Sequence, residues 1–136
     1  MQIEEIIQEK KGKLIIRAEG GLSFPLYEKE AAKYRLTEGG TLTEQEWNEI
    51  CSEILEKRAK RRAMYILQRM ERTECQLRRK LQENGYPEEI VECAMDYVKS
   101  FHYVDDYRYA CTYIRYHQSE KSRLQIKMKL YERGVP

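Results

Sequence analysis

The sequence predicts a mostly α-helical protein made of tandem three-helix repeats, the second of them incomplete, preceded by a small antiparallel β meander. Two observations support this fold class. The stretch Thr73–Pro87 recurs in outline as Ser122–Pro136, and a repeat on this scale is typical of helical-repeat architectures. Near the N-terminus, apolar and polar residues alternate between glycine-containing turns, which is typical of short strands.

The β meander is predicted over residues 2–26. Turn residues at Lys11-Gly12 and Gly20-Gly21 divide this stretch into three short alternating segments. Pro25 cannot donate a backbone hydrogen bond, so we expect the third strand at the edge of the sheet. A sheet of this size is marginal by itself and must pack against helices.

Two helical stretches follow the meander. Glu28 to Arg35 predicts a short helix, and Thr43 followed by Glu46 forms a capping box that opens a long helical pattern reaching about Arg69. The periodicity leaves open whether this pattern is one helix or two that meet near Lys57. The charge changes sign at Lys57, and we therefore place a domain boundary after an N-terminal domain of residues 1–56.

The repeated helix has the same start and stop signals in both copies. Thr73 and Ser122 each precede a Gln by three positions, which predicts a capping box. Each copy ends in a glycine, Gly85 or Gly134, that can adopt the left-handed conformation closing a helix. A proline follows two residues later and cannot continue the helix.

The first three-helix unit is predicted over residues 57–104 and the second over residues 105–136. The third helix of the first unit begins at Pro87, with a predicted buried stripe of Ile90, Ala94, Tyr97, Val98 and Phe101. The corresponding helix of the second unit would begin at Pro136, the last residue of the sequence. The sequence leaves open whether the chain is truncated or naturally short. We therefore expect part of the second unit's apolar face, namely Ile126, Leu130 and Val135, to be partly uncovered.

The net charge of +2 conceals blocks of opposite sign. Residues 57–80 carry ten basic and two acidic side chains, and residues 107–136 carry seven and two. The intervening block and the N-terminal domain are both acidic. The near absence of acids in residues 57–80 favours a binding surface over a solvated helix face, which normally mixes both signs.

The candidate binding residues are the cations of these two basic blocks. They would meet phosphates or an acidic protein surface. In the first unit they are Lys57, Arg58, Lys60, Arg61, Arg62, Arg69, Arg72, Arg78, Arg79 and Lys80, and in the second unit Lys121, Arg123, Lys127, Lys129 and Arg133. The tyrosines near them could stack on bases, although tyrosine at helical spacing more often packs in a core.

The residues give no pattern for catalysis, a cofactor or a small-molecule substrate. The four cysteines are far apart and neither histidine stands at ligand spacing from them, so we expect no metal site. Asp105 and Asp106 have no third carboxylate beside them and are better explained as a helix cap. No apolar run reaches membrane-spanning length and the N-terminus lacks signal-peptide order, so we expect a cytoplasmic protein.

The motifs of both units together resemble those of the RecX family, bacterial regulators of the RecA recombinase. In the first unit these are Ala63-x3-Leu67-x-Arg69 and Thr73-x3-Leu77-x2-Lys80-Leu81-x3-Gly85-Tyr86. In the second they are Asp105-Asp106-x2-Tyr109-Ala110 and a basic helix ending in Gly134. Family members usually carry a complete second unit and a third unit, and this chain departs from them there.

The resemblance implies a non-enzymatic regulator that lies in the groove of the RecA filament and inhibits its recombinase and co-protease activities. RecA is then the expected protein partner, with single-stranded DNA as a further candidate. An independent helix-turn-helix-like DNA-binding module is the alternative, since such modules also present a basic helix in a three-helix unit. A protein-interaction scaffold, whose binding would barely respond to salt, is the third interpretation.

Overall fold

The computed structural model describes residues 1–136 and begins with a three-stranded antiparallel sheet. Strands β1 (Ile3–Lys10), β2 (Lys13–Ala18) and β3 (Ser23–Tyr27) pair in the order β1-β2-β3. The predicted meander and its edge strand are therefore confirmed. Pro25 is opposite Ile15 in the register and lies on β3, an edge strand that pairs only with β2.

A short helix α1 (Glu28–Lys33) leads from the sheet to a long continuous helix. The long helix consists of α2 (Glu44–Ile50), one π turn (Cys51–Leu55) and α3 (Glu56–Arg69). The residues at both ends of the π turn have right-handed helical dihedral angles, so the backbone does not break near Lys57. The structure thus shows one helix where the sequence left two possibilities open.

The π turn keeps the apolar stripe of the long helix in register with the core. Ile50 and Leu55 are both fully buried although they are five positions apart, a spacing that fits the wider turn of a π-helix. From Leu55 onward the buried positions Ala59, Ala63 and Ile66 return to the ordinary spacing of three or four. Met70, the residue after the helix, is exposed and lies outside this stripe.

The remaining helices are α4 (Glu74–Glu83), α5 (Glu88–Ser100), α6 (Asp106–His117) and α7 (Arg123–Glu132). All three predicted capping boxes are present, at the starts of α2, α4 and α7. Gly85 and Gly134, which follow α4 and α7, each have φ of 90°, as the stop signals require. The repeat of helix start and helix stop is therefore confirmed.

One large apolar core joins the sheet to the helices α2 to α5. It includes Phe24 and Leu26 from the sheet, and Leu77, Leu81 and Val98 from the first three-helix unit. Residues 1–56 and 57–104 share this core. The division between them is therefore one of charge and sequence pattern, and they remain packed together as one body.

Two details of the predicted core are corrected by the structure. Tyr97 in α5 and Phe101 directly after it are exposed, whereas Val91 and Met95 are buried in their place, because the face of α5 that contacts α3 is rotated from the predicted one. Phe101 instead stacks on Tyr103 at the end of the helix, with ring centroids 5.5 Å apart.

The expectation of an uncovered stripe in α7 is wrong for Ile126 and Leu130. Both are buried in a small second core with Tyr113 of α6, and only Val135 is half-buried as expected. The opposite side of α7 carries the exposed apolar side chains Leu124, Met128 and Tyr131. The pairing of α6 with α7 is thus sufficient to cover the stripe.

Hydrogen bonds and ion pairs fix the second unit to the first. The Thr73 hydroxyl donates to the Arg133 carbonyl at 2.6 Å, and the Glu74 amide donates to the Asp106 carboxylate at 2.8 Å. Arg108, which the sequence did not single out, pairs with Glu71 at 3.2 Å.

None of the helices is both long enough and apolar enough to span a membrane.

Candidate basic interface

The cations of α3 point outward because the apolar stripe of this helix points into the core. Ala59, Ala63 and Ile66 bury one face, and the small alanines let α3 lie close to α5. Arg61 and Arg62 fall between these positions and are exposed. The local sequence thus produces a basic outer face on a helix that is rigidly anchored on its inner face.

Several predicted binding residues are already paired with carboxylates inside the molecule. Arg58 pairs with Glu30, Lys57 with Glu53 at 3.0 Å, Arg78 with Glu92 at 2.8 Å and Lys129 with Glu132 at 3.4 Å. A cation that is paired in this way has less charge available for a phosphate. Arg58 and Arg78 therefore contribute to the shape of the surface as well as to its charge.

Arg78 and Glu92 form a two-pronged contact between neighbouring helices. Arg78 donates to both carboxylate oxygens, at 2.8 and 3.3 Å. The hydrogen bond from Arg78 lowers the pKa of Glu92, and the same bond raises the pKa of Arg78. This fork links α4 to α5 and stabilises the charged forms of both side chains.

A second group of the predicted cations is held over aromatic rings. The set comprises Lys60 over Tyr97, Arg62 and Arg69 over Tyr65, and Lys121 and Arg133 over Tyr113, at distances of 4.9 to 5.6 Å. Cation–π contacts orient these side chains without neutralising them. The tyrosines therefore organise the basic surface in addition to packing beside the core.

Five of the predicted cations have neither a carboxylate nor an aromatic partner. They are the exposed side chains Arg61, Arg79, Lys80, Arg123 and Lys127. Arg72 is different, because its Nε is buried with no hydrogen-bond partner. The candidate residues are thus divided between paired, ring-bound and free cations, a distinction that sequence could not make.

The structure brings three of the predicted cations into one groove. We call this site the basic groove and define it by its charged and polar lining: Lys10, Lys13, Tyr27, Arg58, Arg61, Arg62, Asn84 and Tyr86. Pro25 and Leu26 form its floor, and its volume is about 510 Å³. It lies between the β1–β2 hairpin, β3, α3 and the turn after α4, and its lining contains five cations and no carboxylate.

The residues Lys10, Lys13, Tyr27, Asn84 and Tyr86 were not identified from the sequence. Lys10 and Lys13 flank the hairpin turn in a block that is acidic overall, and Asn84 and Tyr86 lie at the closing turn of a repeat helix. Only the packing of the sheet on α3 makes them neighbours. No spacing in the sequence signals that contact.

The walls of the basic groove supply mainly hydrogen-bond donors. The Asn84 side-chain carbonyl already accepts from Arg62 Nε at 3.1 Å, which leaves the amide donors of Asn84 unused. Burial raises the pKa of Tyr86, so its hydroxyl remains protonated at neutral pH. A groove of this composition is suited to an anion rich in acceptor atoms.

The basic residues of the second unit form a separate depression on α6 and α7. Lys121, Arg123 and Lys127 line it together with the exposed apolar side chains Ile114 and Leu124. This mixed lining differs from that of the basic groove. The two predicted patches are thus distinct in chemistry as well as in position.

The cysteines and histidines lie outside both basic regions. All four cysteines are free and half-buried. Burial raises the pKa of Cys51 to about 11, which leaves it almost entirely a thiol at neutral pH. His117 packs against Tyr113, with ring centroids 4.2 Å apart. No cluster of three metal-ligating side chains occurs in the structure.

Family models for RecX match both helical units. The model of the first three-helix domain matches residues 59–97, and the model of the second three-helix domain matches residues 105–136. Among solved structures, the crystal structure of a regulatory protein RecX is similar, with 29% identity and a TM-score of 0.61. It aligns over 99% of this chain and 68% of the other.

Curated relatives are about one third identical to this chain over the aligned residues. Regulatory protein RecX of Caldanaerobacter subterraneus subsp. tengcongensis is 32% identical over 99% of this chain and 70% of its own length. Regulatory protein RecX of Limosilactobacillus reuteri is 32% identical over 79% of this chain, which spans only 41% of the longer relative. With two family models in sequence order and a similar overall fold, the chain belongs to the RecX family of regulatory proteins.

Proposed function

We propose that this protein binds RecA and its nucleoprotein filament and thereby inhibits recombinase and co-protease activity. The observation that supports this most directly is the basic outer surface of α3 and α4, on an otherwise well-packed RecX-type scaffold. Arg61, Arg79 and Lys80 are exposed there without an acidic partner. The phosphates of DNA, or an acidic protein surface, would be complementary targets for these cations.

The rigidity of the array suits an extended groove. The two units are joined by partly buried hydrogen bonds between Thr73 and Arg133 and between Glu74 and Asp106. Basic regions on the first and second units are therefore held at a fixed separation. Two weak sites on one rigid body bind a repeating partner more tightly than either would alone.

The alternative of an independent helix-turn-helix-like DNA-binding module has less support from the side chains. Such a module reads base edges with Asn, Gln or Arg near the start of its recognition helix. Gln76 and Gln125 are instead bound to the backbone amides of Thr73 and Ser122, at 3.1 and 2.9 Å. Arg123 is the remaining long donor at the start of α7, and it is exposed.

The deciding experiment is the ATPase activity of RecA on single-stranded DNA, measured with and without this protein. We expect the rate to fall as the protein is added, both during filament assembly and on preformed filaments. Unchanged ATPase rates at saturating protein would contradict the proposal. Strong sequence-dependent binding to duplex DNA without RecA would favour the alternative.

A further inference from the structure

We propose that the basic groove between the β meander and α3 is a binding site for the backbone of a single-stranded nucleic acid. The site is composite, because Lys10, Lys13 and Tyr27 come from the meander while Arg61 and Arg62 come from the first helical unit. This proposal deepens the proposed function, because it assigns the single-stranded DNA of the RecA filament to one site. The same site would also bind a single-stranded nucleic acid in the absence of RecA.

The charge of the groove calls for an anionic ligand. Lys10 and Arg61 are exposed and have no carboxylate partner, and Lys13 has only a contact of 3.9 Å with Glu9. Their electrostatic repulsion across the groove is relieved when an anion binds between them. Phosphate groups meet this need, since Arg forks and Lys ammonium groups are the usual protein ligands of phosphate.

The groove offers an aromatic ring beside the cations. Tyr27 is 48% exposed, and the Arg58 guanidinium lies 4.7 Å from its ring centroid. Glu30 fixes both residues, because it pairs with Arg58 and accepts from the Tyr27 amide at 2.8 Å. A fixed tyrosine at the edge of a basic groove is the arrangement on which unpaired bases stack.

A single strand fits the lining better than an acidic protein segment or a duplex. Protein interfaces depend on apolar anchors seated in pockets, and the apolar residues of this groove, Pro25 and Leu26, are buried in its floor. A volume of about 510 Å³ is that of a site for a small ligand, which admits part of one strand but no double helix.

The test is fluorescence anisotropy of a labelled oligothymidylate with the full chain and no RecA. The variant Lys10→Gln/Arg61→Gln removes one free cation from each wall. We expect weaker binding and a log–log salt slope reduced by about 1.4, since each phosphate contact on a single strand contributes about 0.7. The matched variant Lys33→Gln/Arg115→Gln removes the same charge from exposed sites outside the groove and should keep the parent slope.

Tyr27 gives an independent measure of stacking. Tyr27→Leu should weaken oligothymidylate binding about 5- to 150-fold, the range for loss of one stacked base, whereas Tyr27→Phe should retain most of the affinity.

Lysine acetylation of the unaltered protein adds a readout that does not depend on variants. Bound oligothymidylate should protect Lys10 and Lys13 and leave Lys33 reactive.

Equal loss of affinity in the groove variant and the control variant, without selective protection of Lys10 and Lys13, would overturn the proposal. Displacement of the oligonucleotide by polyglutamate of equal charge at equal concentration would overturn it in favour of an acidic protein ligand. The outcomes are separate from those of the proposed function. Groove binding that persists while RecA ATPase is unaffected would contradict the RecA proposal alone.

Discussion

Gly134 lies against Cys75 so closely that a methyl group on the glycine would overlap the cysteine side chain. Such a Cβ would fall 2.9 Å from Cys75 Sγ and closer still to Cys75 Cβ. The repeat-equivalent Gly85 has the same φ of 90°, but a Cβ there would be 3.9 Å from its nearest neighbour, Ile15. The two glycines share a helix-stop role, and only Gly134 also serves the contact between the two units.

This difference predicts unequal effects for the same substitution. Gly85→Ala should lower the free energy of unfolding by about 1–2 kcal/mol, the cost of a left-handed conformation for a residue with a side chain. Gly134→Ala should increase amide exchange in α7 as well, because Cys75 must be displaced. Hydrogen exchange followed by mass spectrometry measures this. Equal exchange of α7 in both variants would show that the contact does not hold the units together.

Thr73 and Ser122 occupy equivalent helix caps, but only Thr73 is fully buried and donates to the Arg133 carbonyl. Ser122→Ala should cost about 1 kcal/mol of unfolding free energy, as for loss of a cap. Thr73→Ala should cost about 1–3 kcal/mol more, because the Arg133 carbonyl then loses its partner. Urea unfolding of both variants measures the difference. Identical midpoints would mean that the bond to Arg133 contributes nothing.

The two buried leucines of α4, Leu77 and Leu81, provide a test of the core. Leu81 is fully buried, and Leu81→Ala should lower the free energy of unfolding by about 2–5 kcal/mol. The same change at Leu77 should act similarly. Leu124→Ala is the control, since Leu124 is 66% exposed and its truncation should change stability by less than about 0.5 kcal/mol. A Leu81→Ala variant that melts like the parent would rule out the shared core.

Acid should weaken the fork between Arg78 and Glu92. The pKa of Glu92 is below its ordinary value of 4.5 in the folded protein. This carboxylate therefore contributes stability above pH 4.5, and the contribution is lost as the pH falls through its lowered pKa. Glu92→Gln should destabilise the protein at pH 7, and this effect should diminish as the pH falls below 4.5. A stability difference that stays constant between pH 7 and pH 3 would contradict this.

The parts of the fold that were predictable from the sequence are governed by local interactions. Thr73 and Gln76 bond each other's backbone within a single helical turn, so their spacing is sufficient to predict the cap. The long apolar stripe likewise predicts the helix itself. The stripe does not predict the π turn at Cys51–Leu55, because that turn depends on which residues of the helix pack into the core.

The site was less predictable because its geometry depends on contacts distant in the sequence. Arg58 is held by Glu30 and stacks on Tyr27, and both of these residues belong to the N-terminal acidic block. Charge blocks defined along the sequence therefore assign residues that are neighbours in space to different blocks. The same reason explains why Lys10 was overlooked as a neighbour of Arg61.

The last prediction concerns the outer face of α3, on which the proposed inhibition of RecA depends. Arg61→Ala/Arg62→Ala should reduce filament affinity and flatten its log–log salt slope by about 1.4, if each arginine neutralises one phosphate of a single strand. Arg62 also loses its bond to Asn84, so the single variant Arg61→Ala isolates the effect of a cation without internal partners.

Stability should hardly change in the double variant, because exposed charges contribute only tenths of a kcal/mol to folding. Arg115→Ala, an exposed arginine on α6 outside the basic groove, is the control and should inhibit RecA as the parent does. Inhibition is measured as RecA ATPase on single-stranded DNA over a range of salt concentrations. If the double variant inhibits as well as the parent at every salt concentration, then the cations of residues 57–62 form a solvated helix face. The binding surface must in that case be sought on α4 or α7, at Arg79, Lys80 or Lys127.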